Sequence, residues 1–208
     1  MIQDSNTTRR SLFRVAGAGV LSAAAVGLLG NNAAMAAMKG KKGASAGDVA
    51  ILNVALGLEH EAIAAYQIGA ESGLLQKPVL DVAVLFQGHH KAHRDALVGT
   101  IAKLGGKAVE PKSRDEYMAG LNVAAVKGQQ DILELARRLE LGAANAYLGV
   151  IPSFGDKGLA QVSARLAADE TMHWSLLNSV LGGCPPAAAL SFGGGAGRST
   201  AGRPASLL

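Results

Sequence analysis

Four stretches of this chain carry an apolar stripe at helical spacing, and each stripe is broken near its middle by a carboxylate or an imidazole. The first runs through Leu52, Leu56, Glu59, Ile63 and Tyr66. The second holds Val79, Ala83, Phe86, His90, His93, Leu97 and Leu104. The third holds Leu133, Glu140, Ala144, Tyr147 and Ile151, and the fourth Leu166, Glu170, His173, Leu177 and Val180. Steps of three and four keep each set on one helical face. A face that is apolar at both ends wants to be buried, and its middle goes in with it. Burying an unpaired carboxylate costs several kcal/mol, so a fold that takes in these stripes must also account for the charges.

The interruptions repeat. Glu140 follows Glu59 by 81 positions (140 − 59 = 81), and Tyr147 follows Tyr66 by the same step (147 − 66 = 81). Glu170 follows His90 by 80 (170 − 90 = 80), as His173 follows His93 (173 − 93 = 80). Helices one and two are thus echoed by helices three and four, and a repeat of this kind carries more information than any one motif. The joins SGLLQKP and SFGDKG are short enough for antiparallel hairpins. The stretch between helices two and three is long enough, extended, to run the length of a bundle. The chain is 49% hydrophobic but only 4% aromatic, its apolar share coming mainly from Ala, Leu and Val. The expected fold is all-α: a four-helix bundle of two antiparallel hairpins joined by a long crossover.

Exposure, ion pairing or a metal can relieve buried acids. Exposure fits poorly, because Glu59, His90, His93, Glu140, Glu170 and His173 all sit on the stripes. Ion pairing lacks obvious partners, since Lys91, Arg94, Arg137 and Arg138 fall off them. A metal is the simplest expectation. Glu170 and His173 form a Glu-x-x-His pair whose i, i+3 spacing brings carboxylate and imidazole to one point, and His90 and His93 share that spacing.

With these residues in place, the segment from about 48 to 182 resembles the ferritin-like superfamily, in particular its exported bacterial members. The resemblance implies metal ligands at Glu59, His90, His93, Glu140, Glu170 and His173, with Glu59, Glu140 and Glu170 holding charge during redox chemistry. It also implies that Tyr66 and Tyr147 donate hydrogen bonds that orient the glutamates. One position departs: where the family carries a second bridging Glu, this chain has His90. Four carboxylates become three. A neutral imidazole normally binds one ion, so the site is expected to hold one or two ions, iron first, with zinc, manganese or copper also suited to its imidazoles.

The ends read differently. TTRRSLFR precedes the uncharged run VAGAGVLSAAAVGLLG, and Ala34-Met35-Ala36 offers a small-x-small cleavage site. Residues 1–36 are therefore expected to be an export signal of the twin-arginine type, which addresses the chain to its export machinery and to the periplasm or another exported compartment. The run is short for a membrane span, so none is expected once the signal is removed. Residues 37–47 read as a linker, Asp48 as the cap of the helix that follows, and 183–208 as a disordered Gly-, Pro- and Ala-rich tail. Net charge is +4, with Arg9, Arg10 and Arg14 among the positives. No aromatic residues interleave with Lys or Arg along one face, which argues against nucleic acid.

Glu61 rivals Glu59, but the matched step to Tyr66 favours Glu59. His60 and Glu61 are expected to face solvent or a neighbouring helix, His89 the rim, and Glu134 the surface. Met172 and Trp174 read as packing residues, and Cys184, the only cysteine, as inert. The expected partners are metal ions and small oxidants, and the bundle leaves a homodimer open. The functional expectation is iron-dependent oxidation by dioxygen or peroxide. The alternatives are metal binding without turnover, or a protective structural bundle with an altered site.

Overall fold

A computed structural model describes residues 44–192, and among them it contains five α-helices and no strand. The long helices are α1 (Ala44–Glu71), α2 (Lys77–Lys103), α4 (Gln129–Val150) and α5 (Lys157–Val180); the short α3 (Arg114–Gly120) lies in the crossover. Helix α1 pairs with α2, α4 with α5, and α1 also packs on α4. The last contact is antiparallel, because Tyr66 reaches Glu140 while Tyr147 reaches Glu59. The result is the expected all-α bundle of two antiparallel hairpins joined by a crossover.

Local chemistry sets the helix ends. Pro78 sits in the first turn of α2, where its missing N–H costs nothing. Asp156 caps α5 by accepting from the backbone N–H groups of Gly158 and Leu159. Both hairpins end on the same stop. Gly105 and Gly182 take left-handed φ values of 73° and 77° after α2 and α5, and the next residues, Gly106 and Gly183, donate back to Ile101 and Asn178. A side chain resists that backbone conformation, so glycine ends the helix cleanly. In the crossover, Ser113 and Glu116 form a reciprocal capping box that starts α3.

The expected start of the first helix was too late. Helix α1 begins at Ala44, and Asp48 lies within it, 4% exposed, accepting a hydrogen bond from the backbone N–H of Gly155 at 3.0 Å. Asp48 therefore ties the first helix to the α4–α5 turn instead of capping its own helix. Val180, at the end of the fourth stripe, is 57% exposed. Residues 183–192 have no regular structure, although Trp174 packs edge-on against Phe192 with ring centroids 4.9 Å apart. The expected export signal, most of the linker and the tail from 193 onward lie outside the described residues.

Two apolar layers flank the middle of the bundle. One gathers Leu52, Leu56, Leu97, Ile101, Tyr147 and Leu166; the other gathers Tyr66, Phe86, Leu133 and Leu177. Each buried side chain of this size favours the fold by about 1.5–3 kcal/mol. The segment Ala46–Glu71 is long and apolar enough to cross a membrane by length and composition. Here its apolar faces are covered by α2, α4 and the crossover.

Candidate metal centre

Between the two apolar layers lies a sheet of ionisable side chains drawn from all four long helices. Glu59 comes from α1, His90 and His93 from α2, Glu140 from α4, and Glu170 and His173 from α5. Glu59, His90 and Glu140 are each 1% exposed, Glu170 is fully buried, and His173 and His93 are 2% and 7% exposed. All six residues singled out in the sequence thus meet in one place.

They form two overlapping groups. Glu59, His90, His93 and Glu170 offer ligand atoms all within 4.8 Å of one another, and so do His90, Glu140, Glu170 and His173. His90 and Glu170 belong to both. Tyr147 donates its hydroxyl to Glu59, and Tyr66 donates to Glu140, each across the α1–α4 contact. Each tyrosine thus holds the glutamate of the other hairpin, and its own ionisation is pushed well up by burial and by the adjacent carboxylate.

The chain does have internal partners for its buried acids, contrary to the expectation that ion pairs were unavailable. His90 Nδ1 lies 2.8 Å from Glu59 and Nε2 lies 3.2 Å from Glu140. Glu59 and Glu140 are both held low and accept as carboxylates, so both nitrogens of His90 donate and it stands as an imidazolium between two acids. Burial opposes that charge, but the bonds to Glu140 and Glu59 outweigh it and lift its pKa well above the ordinary value. Burial likewise opposes charge on His93, and Glu170 and Glu59 raise it to about 10. His173 is raised by Glu140 and Glu170. On the acid side, His90 and His93 hold Glu59 low, and His173 and His90 hold Glu140 low, in both cases against the pull of burial. Glu170 moves the other way, because burial and the facing Glu140 push it up.

Three buried atoms escape this pairing. His93 Nδ1 and both oxygens of Glu170 have no hydrogen-bond partner. Yet His93 Nδ1 is 3.1 Å from Glu170 Oε1, and His173 Nδ1 is 3.4 Å from Oε2. The atoms are close enough to pair electrostatically, but none of these contacts forms a hydrogen bond. Convergence on a common point without mutual bonding is what a ligand set for a cation requires, and an oxygen- and imidazole-rich set suits iron, zinc or manganese.

Two residues outside the expected set complete the layer. His93 Nε2 donates to Asp169 at 3.2 Å, and His173 Nε2 shares a hydrogen bond with His89 Nδ1 at 2.9 Å. His89 is exposed, as its rim placement implied, but it also buttresses a buried histidine. The repeat held the clue: Asp169 follows His89 by 80 positions (169 − 89 = 80), the same step as the site residues. Phe86 stacks on His173 with centroids 4.0 Å apart.

The rivals face elsewhere. Glu61 is half-buried toward α4 and raised by burial to about 7, and His60 Nε2 approaches the carbonyl of Val109 in the crossover at 3.2 Å. Glu134, partly exposed, accepts from Gln130 one turn away. Met172 is 61% exposed and packs against little. Cys184 is exposed, and only its backbone carbonyl is engaged, by Asn178.

The bundle is similar to a crystal structure of a conserved hypothetical protein from Mycobacterium tuberculosis. The TM-score is 0.55 and the identity 23%, covering 68% of this chain and 95% of that one. At that identity the likeness concerns the fold. No curated protein matches the chain. Residues 47–183 match the family described as ferritin-like domain, a span that takes in the four long helices apart from the first three residues of α1, and every residue of the buried layer. The chain belongs to the ferritin-like domain family.

Proposed function

We propose that this protein is an exported metal-binding bundle that reacts ferrous iron with dioxygen or peroxide. The observation that carries the reading is the pair of convergent buried ligand groups sharing His90 and Glu170, within which His93 Nδ1 and both Glu170 oxygens form no hydrogen bond. Leaving a buried polar atom unpaired costs about 1–3 kcal/mol, and a bound cation would recover it. Glu59, His93, Glu140 and His173 would each hold an ion, with Glu170 reaching both positions.

Iron bound there supplies electrons and Lewis acidity. The protein's own part is to hold charge and protons. Tyr147 and Tyr66 fix the rotamers of Glu59 and Glu140. His90 gives up at least one N–H proton if it becomes a ligand, so metal uptake releases protons from the layer. An apolar cavity of about 70 Å³ runs between α1, α2, α4 and the crossover, and Tyr66 and Phe86 form its inner wall. A small apolar molecule such as dioxygen suits an apolar space of this kind, one ring away from His90 and His173. The exported part of the reading is supported by Arg9-Arg10 and the apolar run after them, which resemble a twin-arginine signal.

A second reading rests on His90. Its paired bonds to Glu59 and Glu140 give the layer a charge-balanced state that needs no ion. On that reading the bundle is structural, or binds metal without turnover. One experiment separates the three. Metal-free protein is mixed with ferrous iron, then with oxygen or hydrogen peroxide, while ferric absorbance and bound metal per chain are followed. Oxidation faster than buffer supports the redox reading. Bound metal without acceleration leaves storage or carriage, and no bound metal leaves the structural bundle.

A further inference from the structure

The two ion positions are alike where an ion would touch them and different one layer out. Each offers two carboxylates and two imidazoles: Glu59, His90, His93 and Glu170 on one side, His90, Glu140, Glu170 and His173 on the other. Each private glutamate receives one tyrosine hydroxyl. Each private histidine turns Nδ1 inward and Nε2 outward. The symmetry breaks at the outer partner. Asp169 stands behind His93, and His89 stands behind His173.

We propose that the position built on Glu59 and His93 fills first and the position built on Glu140 and His173 fills second, because a carboxylate supports only the first histidine. This rests on the metal-binding reading above. An ion on Nδ1 takes that lone pair, so the remaining ring proton sits on Nε2 and is donated outward. Asp169 accepts it with a full negative charge, which enriches His93 Nδ1 and adds an anion near the bound cation. His89 accepts through a neutral ring nitrogen and supplies neither effect to His173. Outer partners of this kind alter metal affinity by about 10–100-fold. His89 and Asp169 are positioning residues, and both reach solvent: the Asp169 side chain is 44% exposed and His89 is exposed. Their exposure lets either be replaced without placing a new group inside the buried layer.

The test titrates the full metal-free chain with cobalt(II), read by calorimetry and by visible absorbance. Two steps are expected, separated by about tenfold or more. Asp169→Asn keeps the side chain's shape and should weaken the tighter step about tenfold while leaving the looser step in place. His89→Asp should tighten the looser step alone. A purely structural role for either residue would move both steps together. Two equal steps, or Asp169→Asn acting on the looser one, overturns the ordering. So does a lone ion that responds to His89 and not to Asp169. A single ion weakened by Asp169→Asn, with a second gained in His89→Asp, is the same ordering in a steeper form. If the unaltered chain takes up no cobalt, the metal-binding reading itself fails and the ordering with it; if cobalt binds indifferently to both variants, only the ordering fails.

Discussion

Tyr147 donates its hydroxyl to Glu59, 88 positions earlier in the chain, and both groups are buried to within 2%. The bond joins the two hairpins through the middle of the bundle, and Tyr66 with Glu140 repeats it from the other side. Tyr147→Phe keeps the ring in the apolar layer and removes only the donor, leaving one carboxylate oxygen of Glu59 unpaired. Stability should fall by about 1–3 kcal/mol in urea or thermal unfolding of the metal-free chain. Tyr66→Phe should cost a similar amount. A loss below a few tenths in both variants would mean that the bonds contribute nothing to holding the hairpins together.

His90 is the point where this chain parts from the pattern it otherwise follows. As an imidazolium between Glu59 and Glu140, it neutralises charge that a second bridging glutamate would add to. His90→Glu should therefore act in opposite directions with and without metal. In chelator, four clustered buried carboxylates repel one another and the melting temperature should drop by several degrees. With iron or zinc present it should recover, and metal per chain by elemental analysis should rise above that of the unaltered protein. Unchanged occupancy would refute the view that the missing charge limits binding.

The fold was readable because the stripes keep helical spacing, repeat in the second half of the chain and are joined by short links; Gly105 and Gly182 then end two of the four long helices. The six buried site residues were readable because each interrupts a stripe and four of them fall into one repeat step. What the stripes hid was pairing. Whether His90 faces an ion or two acids depends on angles that no spacing encodes. Asp48 misled for a related reason: an acid near a linker looks like a cap, and only the fold brings Gly155 to it. His89 and Asp169 sit one position outside the stripe, where periodicity assigns a rim, and only the shared step of 80 marks them.

The layer's charge balance sets a pH profile for the metal-free chain. His93 is raised to about 10 by Glu170 and Glu59, so its stabilising contribution is complete below the unfolded histidine value of about 6.5 and is lost as pH rises through 10. Glu59 and Glu140 are lowered, so their contribution is present above about pH 4.3 and is lost as pH falls. Urea unfolding in chelator should show greatest stability near pH 5–6.5, with decline on both sides. Stability that climbs steadily from pH 7 to 10 would contradict the imidazolium pairing.

Glu170 is the residue where stability and function should oppose each other. It belongs to both candidate ligand groups, is fully buried, and has neither oxygen hydrogen-bonded, although His93 and His173 lie 3.1 and 3.4 Å away. Burial and the facing Glu140 push its pKa up, which means its charged form is disfavoured in the metal-free fold. Glu170→Gln keeps the size and removes the charge. The metal-free variant should melt at the same temperature as the unaltered chain or a few degrees higher, the reverse of the tyrosine variants. Cobalt(II) titration should show both ions weakened, whereas Glu59→Gln should weaken only one. The contrast is diagnostic, because a residue kept for packing would lose stability when altered. If Glu170 costs stability without metal, its place in two ligand groups is explained by the cation it would hold. A Glu170→Gln protein that melts well below the unaltered chain and still binds two ions would remove the strongest physical reason to place a metal in this bundle.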